Sequence, residues 1–105
     1  MTDQGRILRI AEAMGLNAYL RWDNVVAIRL PNGTDRKFDP RTNANDCEAL
    51  IRHLRGAGVK VNVTFGEKQD HVIFSLEQPY FADHGFFDDW KQGVCELALK
   101  VIDHD

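Results

Sequence analysis

Gln78-Pro-Tyr-Phe-Ala-Asp-His-Gly-Phe-Phe-Asp-Asp-Trp90 holds five of the chain's ten aromatic residues, Tyr80, Phe81, Phe86, Phe87 and Trp90, together with the carboxylates Asp83, Asp88 and Asp89. Aromatic side chains carry the largest apolar area per residue, so such a stretch either anchors the core or presents a partner surface. Its C-terminal half reads as the opening of a helix. Phe86, Phe87, Trp90, Val94, Leu97, Ala98, Val101 and Ile102 trace a 3.6-residue stripe. This places the helix start near Asp83 or His84, with Asp83 as cap and Asp88 and Asp89 in the first turns, where the macrodipole favours negative charge. Its N-terminal half, Gln78 to Ala82, reads as a loop.

Upstream, Val59-Lys-Val-Asn-Val-Thr-Phe65 alternates apolar and polar residues, the pattern of a half-buried strand. Gly66 to Asp70 is a turn, and Val72, Phe74 and Leu76 mark the partner strand. The polar face of Lys60, Asn62 and Thr64 predicts that one side of this hairpin meets water. Before it, Ala44, Cys47, Leu50, Ile51 and Leu54 form the stripe of a helix that Thr42, Asn43 or Asn45 can cap and that Gly56 and Gly58 end. At the N-terminus, Ile7, Leu8, Ile10, Ala11 and Met14 predict a helix over 3–14, stopped at Gly15. Val25 to Ile28 and Arg36 to Phe38 flank Pro31-Asn-Gly-Thr34, a hairpin turn signal. Tyr19 to Trp22 reads either as a separate strand or as the start of the next one. The expectation is an α+β layered sandwich in the order α-β-β-α-β-β-α, with antiparallel hairpins and three amphipathic helices, the third of them free to cover the opposite sheet face.

The 105 residues, 44% hydrophobic and 28% charged, fit one globular domain over 1–105. No apolar run approaches the roughly 20 residues of a membrane span, and the first residues lack a signal-peptide pattern, so the expected location is the cytoplasm, with no membrane partner. Residues 1–60 carry ten Lys/Arg against seven Asp/Glu, and residues 61–105 three against nine. The arginines are dispersed and the acidic part repels phosphate, which disfavours nucleic acid. Cys47 and Cys95 match no zinc or redox spacing and read as core thiols.

Three of the four histidines follow an aspartate: Asp70-His71, Asp83-His84 and Asp103-His104. Imidazole and carboxylate are both metal ligands, yet neighbours in a strand do not converge on one ion, and the spacing matches no metal motif. These pairs support a small metal-dependent or hydrolytic enzyme only if two or more of His71, His84, Asp70 and Asp83 meet in space. His53 reads as a surface residue. Ser75 lacks a nucleophile-elbow context, and Gly56-Ala-Gly58 follows a helix instead of preceding one. No catalytic residue, metal or cofactor is assigned.

Phe38-Asp-Pro-Arg-Thr-Asn-Ala44, with the helix Asp46-Cys-Glu-Ala-Leu-Ile-Arg-His-Leu54, resembles the middle of the small phage and prophage "ABA sandwich" proteins. Gly93-Val-Cys-Glu-Leu-Ala-Leu-Lys100 is similar to their last helix. The N-terminal third departs from the pattern, since Gly15 and Trp22 are separated. The resemblance implies phage-type origin and fold class, and no activity. The reading that follows is a non-enzymatic accessory protein that binds a host or phage protein, such as a defence protein, through Tyr80, Phe81, Asp83, Phe86, Asp88 and Asp89. The aromatics would supply the buried contact, and the acids would steer a basic partner surface. A symmetric homodimer through the same surface and a nucleic-acid binder or acidic mimic are the alternatives.

Overall fold

The computed structural model of the chain describes residues 2–77 and 80–103. Its elements are α1 (Asp3–Ala13), β1 (Ala18–Leu20), β2 (Val26–Arg29), β3 (Asp35–Lys37), α2 (Ala44–Gly56), β4 (Lys60–Thr64), β5 (Asp70–Glu77), β6 (Tyr80–Phe87) and α3 (Trp90–Ile102). The class is α+β, as the sequence predicts, but each half gains a strand: the order is α-β-β-β-α-β-β-β-α. Two antiparallel three-stranded sheets result, β1-β2-β3 and β4-β5-β6.

The local signals explain the first half. Thr2 caps α1 by accepting from the Gly5 N–H at 3.0 Å. Asn24, at φ 67°, turns β1 into β2. Asn is among the few residues that tolerate this left-handed backbone. The Tyr19 region is therefore a separate strand, with Tyr19 opposite Ala27. Gly33, at φ 86°, closes the turn between β2 and β3.

Buried Asp46 organises the lead-in to α2. Its Oδ1 accepts from Arg36 Nη1 at 2.8 Å, and its Oδ2 accepts from the Asp39 N–H at 3.0 Å. Asn43 caps the helix by accepting from the Asp46 N–H. The Phe38–Ala44 motif is thus a structural joint, with Phe38 and Pro40 fully buried beside it.

The largest difference lies in the aromatic stretch. Tyr80–Phe87 is not a loop and helix start but a strand paired with β5 over its whole length, from Glu77 opposite Tyr80 to Asp70 opposite Phe87. The helix begins only at Trp90, and its cap is Asp89, which accepts from the Lys91 N–H at 3.0 Å, not Asp83. Gly85, costly inside a helix, is tolerated here because Phe87 needs the space: a Cβ on Gly85 would lie 2.8 Å from Phe87 Cζ. Gln78 and Pro79, at the start of the predicted loop, lie outside the described residues.

α1 packs on β1 and β2, α2 on β4, and α3 on β5 and β6; α3 also packs on α1 and α2. One apolar cluster joins Ile10, Phe38, Leu50, Val72, Phe74, Val94 and Leu97 from these elements. Each helix therefore covers an inner sheet face. The helix that the sequence left free to cover the opposite sheet face does not do so among the described residues: the strands form two sheets, and α1 packs on the first.

Candidate functional site

Strand alternation sorts β4-β5-β6 into two faces. Val61, Val63, Val72, Phe74, Leu76, Phe81, Asp83, Gly85 and Phe87 face the helices. The opposite face is built of cross-strand rows: Lys60, Ser75 and Ala82; Asn62, Ile73 and His84; Thr64, His71 and Phe86; and Glu77 beside Tyr80. On this open face Tyr80 is 78% exposed, Phe86 60% and Ile73 37%. β6 is an edge strand of the sheet.

The sequence-predicted site residues divide between these faces. Tyr80 and Phe86 stand on the open face. Phe81 is half-buried and packs against the core, so it is not the exposed anchor expected of it. Asp83 also points inward. Its Oδ2 accepts from Lys100 Nζ at 2.8 Å, and its Oδ1 from the His84 N–H. The Lys100 ammonium, helped by that N–H, holds the Asp83 carboxyl below the usual carboxylate range. Burial pushes the Asp89 carboxyl up, but the Lys91 N–H and ammonium outweigh it and leave it lowered. Both acids are thus engaged within the fold. Asp88 is exposed and accepts from Gln69 Nε2 at 3.3 Å.

The Asp-His pairs do not act as pairs. In β5, Asp70 accepts from the Trp90 N–H at 3.0 Å, while the next residue, His71, is on the open face. In β6, Asp83 and His84 part in the same way. The strands bring together instead two histidines thirteen positions apart. His71 Nε2 lies 3.0 Å from His84 Nδ1. The Phe86 ring stacks on His71, with centroids 4.4 Å apart and planes 11° from parallel. Register alone could have found this pair: His71 and His84 are diagonal neighbours once the second strand is recognised. His53 is exposed, as predicted, and His104 lies outside the described residues.

Elsewhere, Cys47 and Cys95 are buried thiols. The hydrogen bond that the Cys95 thiol gives to Cys47, together with burial, pushes that thiol well up, away from a reactive thiolate. A cleft of about 170 Å³ between α1 and α3, lined by Ile10, Cys95 and Leu99, is small for a ligand pocket, and its rim charges Asp3 and Arg41 pair at 3.0 Å. Among the described residues no helix is long and apolar enough to cross a membrane.

Comparisons of the chain with protein-family models, with curated proteins and with solved structures return no match.

Proposed function

We propose that this chain is a non-enzymatic accessory protein that binds another protein through the open face and the β6 edge of its second sheet. One observation carries the reading. Tyr80, Phe86 and Ile73 are exposed together on a sheet face that no helix among the described residues covers. Large apolar side chains exposed along one face of a sheet, here with Phe86 and Ile73 at one end and Tyr80 at the other, are the raw material of an interaction site. Aromatic anchors with Asp88 and Glu77 at the periphery have the composition of an interface core and its polar rim. The phage-type origin suggested by the Phe38–Leu54 and Gly93–Lys100 resemblance makes a host or phage protein, such as a defence protein, the partner in this reading. With Asp83 and Asp89 neutralised inside the fold, the expected contact relies less on a basic partner surface than on aromatic burial.

The test is affinity capture with the wild type beside a Tyr80→Ala/Phe86→Ala variant, followed by titration of the purified partner. Binding by the wild type, lost in a variant with unchanged unfolding midpoint, supports the proposal. Equal binding by both sinks it.

A second reading rests on the edge itself. β6 offers eight residues for strand addition. Two copies could pair their β6 strands antiparallel, with Tyr80 of one opposite Phe86 of the other, and keep both sheet faces continuous. A concentration-dependent dimer in sedimentation, abolished by Ala82→Pro, is the expected result for that assembly.

A further inference from the structure

We propose that His71 and His84 form a two-imidazole chelate for a divalent first-row transition ion, with Ni²⁺ and Cu²⁺ preferred over Zn²⁺. The argument starts from placement. His71 and His84 sit on adjacent strands whose ladder fixes their backbones, with Ile73 opposite His84 and His71 opposite Phe86. The stacked Phe86 ring holds the His71 imidazole in orientation. The two facing nitrogens, His71 Nε2 and His84 Nδ1, are 3.0 Å apart.

That separation discriminates between ions. With metal–nitrogen bonds of about 2.0–2.1 Å, nitrogens 3.0 Å apart subtend an angle of about 91–97° at the ion. This is the cis angle of square-planar and octahedral coordination, the geometries of Cu²⁺ and Ni²⁺. Turning both lone pairs from each other onto a shared ion moves the rings for any metal, and a tetrahedral ion such as Zn²⁺, which needs nitrogens about 3.3–3.4 Å apart, moves them further.

The chemistry of the surroundings agrees with a borderline, nitrogen-only site. The neighbouring carboxylates Asp70 and Asp83 are turned to the other face and engaged by the Trp90 N–H and Lys100. Mg²⁺ and Ca²⁺, which demand oxygen ligands, find none from an acid here. In the metal-free state one ring donates to the other. Chelation requires both facing nitrogens to offer lone pairs, so the donating ring moves its proton to its outer nitrogen and no net proton is released from two neutral rings. The face is open to solvent, which leaves the remaining coordination positions to water or to a donor from a docked protein. The chelate does not depend on the protein-binding reading: it is a property of the isolated chain, and either can fail alone.

The experiment is calorimetric titration of the tag-free chain with Ni²⁺, Cu²⁺ and Zn²⁺ at neutral pH. Wild type, His71→Asn, His84→Gln and the remote control His53→Asn are compared, with unfolding midpoints as a check on folding. The expected result is one Ni²⁺ per chain. Because the second imidazole binds as an intramolecular event, loss of either one should weaken binding about tenfold or more. The control should match the wild type, and Zn²⁺ should bind more weakly than Ni²⁺. Undiminished Ni²⁺ affinity in either variant, absence of binding by the wild type, or tighter binding of Zn²⁺ than of Ni²⁺ overturns the proposal.

Discussion

The Phe87 ring occupies the space that a side chain on Gly93 would need. A Cβ built on Gly93 would lie 2.8 Å from Phe87 Cε2, well inside van der Waals contact. The last residue of β6 is thus seated on the backbone of α3. Gly→Ala inside a helix ordinarily stabilises by about 1 kcal/mol. Here the overpacking should reverse the sign. Gly93→Ala is expected to lower stability by about 1–3 kcal/mol in denaturant unfolding, and Gly93→Ala combined with Phe87→Leu should recover part of the loss.

Alternating residues of β6 should behave in opposite ways. Phe81 and Phe87 pack against the core, whereas Tyr80 and Phe86 are exposed. Phe87→Ala should cost about 2–4 kcal/mol, since it removes a packed aromatic ring. Tyr80→Ala and Phe86→Ala should stay within about 0.5 kcal/mol of wild type. Chemical denaturation of the set reads this directly, and equal losses at both kinds of position would contradict the assigned faces.

Asp46 ties β3 to the start of α2. It is 2% exposed and accepts from both Arg36 and the Asp39 N–H. Asp46→Ala should destabilise by about 2–3 kcal/mol, the scale of lost charge-assisted hydrogen bonds with a part-buried donor, the Asp39 N–H, left behind. Thermal unfolding measures it, and Arg36→Ala should destabilise as well, because it leaves the buried Asp46 carboxylate without its charge partner.

The Asp83–Lys100 pair predicts a pH dependence. The Asp83 carboxyl is depressed by the ammonium of Lys100 and by the His84 N–H. A carboxylate lowered in the folded state stabilises fully above its unfolded value of about 4, and that stabilisation disappears as pH falls through the depressed value. The stability gap between wild type and Asp83→Asn should therefore be largest at neutral pH and close in acid. A gap that widens in acid would contradict the pairing.

The thiols should resist modification. Cys47 and Cys95 are buried and hydrogen-bonded to each other, and the Cys95 thiol is pushed up. Native alkylation should be slow and should accelerate only with unfolding. Fast labelling of either thiol in the folded chain would contradict that burial.

The sequence made most elements legible because their signals agreed. Val59–Thr64 alternates cleanly, and Lys60, Asn62 and Thr64 are indeed exposed, whereas Phe65, expected on the apolar face, lies beyond β4 and is exposed. Cys47, Leu50 and Leu54 are buried on α2 as their spacing demands. Reading failed at Phe86 and Phe87, which fit the stripe of Trp90 and Val94 at three- and four-residue spacing. Two periods competed there, and the period of two was hidden because aromatics fall on both faces of β6: Tyr80 and Phe86 outward, Phe81 and Phe87 inward. Asp83 and Asp89 are equally good caps in isolation, and only the pairing with β5 decides between them. The histidine pair was one of several possible meetings among Asp70, His71, Asp83 and His84, and without the β6 strand nothing singled it out. Adjacent Asp and His drew the eye, but side chains that neighbour in a strand point apart, and the meeting residues lay on different strands.

The uncovered sheet face has an evolutionary consequence. Asn62, Ile73, Tyr80, His84 and Phe86 lie outside the buried core cluster. Selection can rewrite them one by one while Phe74, Val72 and Leu97 keep the chain folded. A lineage pursuing a changing target would accumulate its substitutions on this face, so variation there, set beside constancy on the opposite side of the same strands, would be the trace such a contest leaves.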